Sequence, residues 1–281
     1  MRDSLEGIDH VVIAVRDLDH ARDTYSRMGF SLTPRGFHTL GSQNHCAMFD
    51  EDYLELLAVP RPHPVNRYFI EFLARAEGLA AVSMASNDAH DLHRSFGADG
   101  IPADEPVEFS RPVESDTGTR DARFRVAQLA PEATPGCRSF VCQHLTRELV
   151  WRSDRGRHPL GVVGVAGITV LAGSAAQAAG VAAAYSRVWG SPVVERDATF
   201  DIAAGAATIT VTTVDALRRR DPDFPLPARA APLVGVLTLR TLDRDQAERV
   251  LRDGGFAPKR MDDGALAIDA ARAHGVTLVF R

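Results

Sequence analysis

The chain has 281 residues, 45% of them hydrophobic, enough to bury a substantial core in two ordinary domains or one large α/β barrel. Acids outnumber bases by 37 to 32, and the resulting net charge of −5 argues against a general polyanion binder, so no nucleic-acid partner is expected. Lys259 is the single lysine, which leaves little room for Schiff-base chemistry, and Cys46, Cys137 and Cys142 lack the paired density of a disulfide scaffold.

In chain order, Ile8-Asp-His-Val-Val-Ile-Ala-Val15 is rich in β-branched residues and predicts a strand. Asp17 and Asp19 follow as candidate N-caps of a helix carrying Ala21, Tyr25 and Met28, and Gly29 stands where a left-handed C-cap would stop it. Phe30 to Thr33, His45 to Phe49 and Tyr53 to Ala58 then read as three strands, the last two joined by the acidic turn Asp50-Glu-Asp52. The order is βαβββ.

The order recurs. A second copy runs from Gly78-Leu-Ala-Ala-Val-Ser-Met84 through a helix at 87–96 and a strand at Asp99 to Ile101, and closes at Arg138 to His144 after an insertion at 106–135. That insertion holds Ser115-Asp-Thr-Gly-Thr119, turn residues without apolar period, which suits a hairpin, a lid over the site or a surface loop. A third copy has a strand at 164–171, an Ala-rich helix from Ala175 to Trp189 stopped by Gly190, and a closing strand at Ala207 to Thr212. Arg218-Arg-Arg220 reads as a solvated turn and 222–232 as a proline-rich connector. The fourth copy starts at Leu233 to Leu239, continues with a helix at 243–252 ending at Gly254-Gly255, and closes at Gly275 to Phe280. Gly7 to Gly29, Gly78 to Gly100 and Leu233 to Gly255 span equal intervals; Gly164 to Gly190 is longer by about one helical turn.

The paired segments Gly7 to Val15 and Tyr53-Leu-Glu-Leu-Leu57 resemble the opening and closing strands of a vicinal-oxygen-chelate module. His38-Thr-Leu-Gly-Ser-Gln-Asn44 and Cys142 to Trp151 are similar to the glyoxalase-like-domain branch of that superfamily. The resemblance implies an α+β fold in which four βαβββ modules form two paired, incompletely closed β-barrels with helices outside. Residues 1–155 would form the pair that carries the site, and 156–281 a degenerate second pair.

The resemblance further implies a divalent metal in the barrel cup and points to His10 and Glu55 as ligands. An imidazole and a carboxylate leave positions open for a substrate that chelates through two oxygens, and the set suits Fe, Mn, Ni, Co or Zn alike. Strand alternation sends Glu55 to the face opposite Leu54 and Leu56. Transferring His10 to the second copy lands on Ala81, which cannot ligate, so that copy offers Gln143 or His144, which alternate across the strand. His144 is taken as the third metal ligand, with Gln143 as a ligand-binding alternative. The same transfer into the second half reaches Gly167 and Val236, which leaves that pair without ligands.

His38 and Glu55 are the candidate catalytic groups: an imidazole titrates near neutrality and serves as a general base. Asn44 is a candidate anchor for a ligand carbonyl or amide. The expected activity is that of a metal-dependent lyase or isomerase on a small oxygen-rich substrate; the alternative is a binding protein of the bleomycin-resistance type. Met1 to Gly7 is polar and no apolar run approaches membrane-spanning length, so a cytoplasmic protein with no membrane partner is expected, bound to a small molecule and compatible with a homodimer.

Overall fold

The computed structural model describes residues 1–38, 41–115, 118–151 and 156–281, with backbone alone at 114 and 115. The first module consists of β1 (Leu5–Ala14), α1 (Leu18–Arg27), β2 (Gly36–Phe37), β3 (Gln43–Met48) and β4 (Tyr53–Ala58). After α2 (Arg67–Arg75) comes the second: β5 (Gly78–Ser86), α3 (Ala89–Ala98), β6 (Val107–Ser115), β7 (Gly118–Gln128) and β8 (Arg138–His144). The third is β9 (Val162–Ala172), α4 (Ala175–Trp189), β10 (Val193–Arg196), β11 (Thr199–Ala204) and β12 (Ala207–Thr213). Helix α5 (Val214–Arg220) leads to the fourth: β13 (Leu233–Thr241), α6 (Arg244–Asp253), β14 (Lys259–Arg260), β15 (Leu266–Ile268) and β16 (Thr277–Phe280).

Each module helix begins and ends for the same local reason. Asp17, Asp88, Ser174 and Asp243 each accept a backbone N–H of the first turn. Gly29, Gly100, Gly190 and Gly255 all adopt positive φ where the chain leaves the helix, a conformation that disfavours a Cβ. The recurrent glycine in the sequence is thus a backbone requirement repeated four times.

The strands form two eight-stranded sheets of matching order, β2-β3-β4-β1-β5-β8-β7-β6 and β10-β11-β12-β9-β13-β16-β15-β14. In each, two modules join by antiparallel pairing of their first strands, β1 with β5 and β9 with β13, while each first strand runs parallel to the last of its own module. The fold is α+β, two open module-pair barrels with, among the described residues, six α-helices outside the sheets. No helix among the described residues is long and apolar enough to cross a membrane.

The insertion expected at 106–135 supplies strands. β6 and β7 pair along their length as an edge hairpin, Val107 opposite Val126 through Ser115 opposite Gly118, and the 116–117 tip of the expected turn lies outside the described residues. The segment at 30–33, expected as a strand, is irregular, and so is 99–101. Arg218-Arg-Arg220 is the last turn of α5, where three cations suit the negative end of the helix dipole.

One apolar cluster runs through both halves, from Val11, Leu54 and Leu56 of the first sheet to Trp189 on α4 and Phe280 on β16. The faces of β1 and β4 that carry Val11, Leu54 and Leu56 therefore look into the core, and alternation leaves the opposite face to line a cup. The change of halves is stitched by hydrogen bonds: His158 accepts from Ser31 N through Nδ1 at 3.0 Å and sets Nε2 2.8 Å from the Met48 carbonyl. The position 155, expected as a boundary, lies outside the described residues.

Candidate metal and ligand site

Glu55 leaves the core face of β4 between Leu54 and Leu56, and pairing of Tyr53 with His10 and of Glu55 with Val12 puts His10, Tyr53 and Glu55 on one face. Asp9 joins them through an irregularity. Ile8 pairs with Met84 and His10 with Ser83, so Asp9 is an extra residue in β1, a β-bulge that turns two consecutive side chains toward the cup. From across the sheet, Phe140, Cys142 and His144 of β8 share one face by alternation.

The polar groups that converge are deeply buried: Asp9 is 2% exposed, His10 5%, Glu55 6% and Asn44 5%. Asp9 Oδ2 lies 2.5 Å from His10 Nδ1, and Asp9 Oδ1 lies 3.0 Å from His144 Nε2. Burial works to raise the Asp9 carboxyl, but the His144 charge and the hydrogen bonds from both imidazoles overcome it and hold the group well below the usual carboxylate range. An ionised Asp9 accepts, so His10 Nδ1 and His144 Nε2 are the protonated nitrogens and donate.

Each ring carries a second nitrogen on the side away from Asp9. His144 Nδ1 is buried without a hydrogen-bond partner among the described residues, and His10 Nε2 faces Glu55 Oε2 at 3.7 Å. Glu55 is itself fixed, since Asn44 Nδ2 donates to Oε1 at 2.5 Å and so turns Oε2 toward His10. An imidazole lone pair and a carboxylate oxygen held together in a buried site repel each other unless a cation or a proton lies between them.

Asp9, Cys142 and His144 form a second donor group, their ligating atoms within 4.8 Å of one another. Its chemistry suits a hydrogen-bonded cluster better. Burial, the Asp9 charge and the Glu55 charge push the Cys142 thiol well above its ordinary range, so without a cation beside it the thiol stays protonated next to the Asp9 carboxylate.

Among the other residues singled out in the sequence, His38 is half-buried, with Nδ1 2.7 Å from Ser42 Oγ. Burial lowers its pKa, against the opposing influence of Glu55, so it is neutral near pH 7. Gln143 points away from the cup. Its Oε1 accepts from Ala89 N and its Nε2 donates to Asn87 O, which ties β8 to the start of α3. The structure thus brings His10, Glu55, Asn44 and His144 into one buried constellation and places Gln143 outside it. Asp9 and Cys142 were not selected from the sequence; an Asp directly before His10 was the available signal, masked by strand alternation.

The remaining cup surface is apolar and aromatic. His10 stacks on Tyr53 at 4.3 Å and meets Phe140 edge-on at 5.4 Å, and His144 packs against Phe124 and Trp151. Register shows what stands at the positions related to the first module. β5 bulges at Ala80 as β1 does at Asp9, which makes Ala81 the counterpart of His10 and Phe140 that of Glu55. In the second sheet Ala166 and Gly167 replace Asp9 and His10, and Thr210 replaces Glu55.

Asp52 lies beyond the cup in a cavity of about 640 Å³ that also touches Asp9, His144 and the Ala204 to Ala207 turn of the second half. Its carboxylate accepts from Val165 N at 2.9 and 3.1 Å, and burial pushes its pKa up to about 7. A folded-state pKa above the unfolded value of about 3.9 means that folded protein binds the proton more tightly, so the contribution is present at low pH and is lost as pH rises toward 7. Asp52→Asn should flatten that part of the stability curve: its urea midpoint relative to wild type should improve steadily between pH 4 and pH 8. A constant difference across the range would contradict the assignment.

Comparison with known proteins agrees with this architecture. The family described as glyoxalase-like domain matches residues 8–188. No curated protein matches the chain. Among solved structures, a hypothetical protein from Staphylococcus aureus superposes with a TM-score of 0.68 at 11% identity, covering 98% of each chain. A mutant of 4-hydroxymandelate synthase from Streptomyces coelicolor gives 0.65 at 14% identity, covering 99% of this chain and 92% of that one. A xylose isomerase-like TIM barrel/4-hydroxyphenylpyruvate dioxygenase fusion protein gives 0.60 at 11% identity, with 99% of this chain on 49% of that one. At such identities the likeness is one of fold. With a domain match over more than half its length and four modules in this order, the chain belongs to the glyoxalase-like-domain branch of the vicinal-oxygen-chelate superfamily.

Proposed function

We propose that the chain is a metal-dependent enzyme of the lyase or isomerase type, acting on a small oxygen-rich substrate in the N-terminal cup. The observation that carries this reading is the facing pair of His10 Nε2 and Glu55 Oε2 at 3.7 Å, buried and with His10 Nδ1 bonded to Asp9. Two atoms each about 2.1 Å from one ion stand about 3 to 4 Å apart, so the pair fits a shared divalent cation. Fe, Mn, Ni, Co and Zn are all compatible with one imidazole and one carboxylate.

His10 and Glu55 would hold the ion. Asp9 orients the His10 ring and sets its tautomer, as a carboxylate behind a metal-bound imidazole does, and His144, expected as the third ligand, turns its Nε2 to Asp9 and steadies it from the other side. Asn44 keeps Glu55 turned to its task. Ala81 and Phe140 contribute no donor at the related positions, which leaves room at the ion for two substrate oxygens. A bound divalent ion would polarise a substrate carbonyl and acidify the adjacent C–H. His38, neutral and anchored through Nδ1 by Ser42, has Nε2 with which to take and return the proton.

The test is deuterium exchange into a panel of α-hydroxycarbonyl and α-dicarbonyl compounds in D2O, followed by proton NMR with metal-loaded protein. His38→Ala should slow exchange by about 10²- to 10⁴-fold while the metal content stays at the wild-type level. Undiminished exchange in His38→Ala would remove that residue from the reaction, and no exchange with any metal or substrate would remove the reaction. The second reading, a non-catalytic small-molecule or drug-binding protein, is favoured by one observation: Tyr53, Phe124, Phe140 and Trp151 give the cup an aromatic lining suited to a planar ligand. It predicts binding without exchange and without dependence on metal.

A further inference from the structure

A separate cavity of about 530 Å³ lies where the two halves meet, walled by α2, by residues 131–138 and by the connector at 228–232. Three arginines line it, Arg75, Arg138 and Arg229, and no carboxylate does among the described residues. Arg229 Nη1 is fully buried without a hydrogen-bond partner among the described residues. Its guanidinium lies 4.6 Å over the Phe72 ring, and that of Arg138 lies 5.2 Å over Tyr68. Tyr68 is pinned in turn: its hydroxyl donates to Ala80 O at 2.7 Å and accepts from Arg138 N at 3.2 Å. Burial works against the charge of both Arg138 and Arg229.

An aromatic face recovers only part of what a buried cation loses in leaving water. Elsewhere on this chain arginines find carboxylates, as Arg125 does with Glu108 and Arg260 with Glu248, so three guanidiniums around one concavity, one of them with an unsatisfied Nη1, call for an anion. A guanidinium fork matches two oxygens of a carboxylate or phosphate, while Phe72, Tyr68, Pro131 and Pro232 offer an apolar wall to the body that carries it. The cavity is within the size range of small-molecule sites.

We propose that this cavity binds a small organic anion, a carboxylate or phosphate on a flat apolar body, held by Arg138 and Arg229 with Arg75 at the rim. Because both halves contribute walls, the bound anion stabilises their junction, and the melting temperature rises with its concentration. The site uses none of Asp9, His10 or Glu55 and stands independently of the activity proposed for the cup.

The experiment titrates the full chain with benzoate, with phenyl phosphate and with benzamide as neutral counterpart of benzoate, by calorimetry and thermal melting. Saturable binding of at least one anion with a raised Tm, and none of benzamide, is expected; which anion binds identifies the headgroup. Arg229→Gln should weaken that binding by about tenfold or more. Arg138→Gln should do the same and decides the matter if Arg229→Gln does not fold by circular dichroism. Arg67→Gln, an exposed position on α2 paired with Glu71, should bind as wild type, as should His10→Ala. The proposal is overturned if neither anion binds at millimolar concentration, if benzamide binds equally, if binding survives in every folded Arg138 and Arg229 variant, or if His10→Ala abolishes it.

Discussion

Asp9→Ala should cost about 3 kcal/mol of folding stability and weaken divalent-metal binding by about 10- to 100-fold. Asp9 is nearly inaccessible and accepts from His10 Nδ1 and His144 Nε2, so removing it strands two buried N–H donors at once. The figure is the lower end of what breaking a buried ionic network costs. The metal effect is indirect, because the His10 ring loses the hydrogen bond that fixes its tautomer. Asp9→Asn separates the two: an amide oxygen still accepts, but without the charge. The pH dependence follows from the sign of the shift. A folded-state pKa depressed below the unfolded value of about 3.9 contributes stability that is complete above that value and is lost as pH falls through the folded pKa. The acid limb of a stability curve should therefore be shallower in Asp9→Asn than in wild type. An unchanged acid limb together with unchanged metal affinity would show that the Asp9 network does not act as described.

Trp189→Ala should destabilise the chain by about 3 to 5 kcal/mol. The indole on α4 is wholly buried, and its Nε1 makes no hydrogen bond among the described residues, so the loss is that of apolar contact and of the cavity left behind. Trp189 belongs to the apolar cluster shared by both sheets. Urea unfolding should show one displaced transition reported equally by probes in either half. A loss under about 1 kcal/mol, or a variant that melts in two separate steps, would mean that the two halves do not share a cooperative core.

The parts of this fold legible in the sequence are those fixed by local chemistry. Helix α4 spans the range that the Ala-rich run and its stop at Gly190 predict, and Gly190 takes up a left-handed conformation at its end. The four module glycines could be aligned for the same reason. Edge strands were less visible. β2 and β14 are two residues long, and β6 and β7 carry solvated charges such as Glu108, Arg123 and Arg125, which pair across the hairpin instead of showing an apolar alternation.

In the site, Glu55 was placed by alternation between two leucines, and its distance to His10 required only that first and last strands pair in parallel. Asp9 escaped because a bulge breaks the period of two on which alternation rests, so a residue expected on the far face of His10 lies beside it. The choice between Gln143 and His144 also needed register. The structure sends His144 to Asp9 and Gln143 to the start of α3, a separation that no local pattern encodes.

The proposed chemistry requires that His10 and Glu55 share a divalent cation. Its most direct test is elemental analysis of protein purified without chelator or affinity tag, comparing wild type with His10→Ala, Glu55→Ala and, as a control on the neighbouring cluster, Cys142→Ser. Close to one equivalent of metal is expected in wild type and Cys142→Ser, and none in either of the other two. No metal in wild type after reconstitution, or metal retained by His10→Ala and Glu55→Ala but lost in Cys142→Ser, would contradict it.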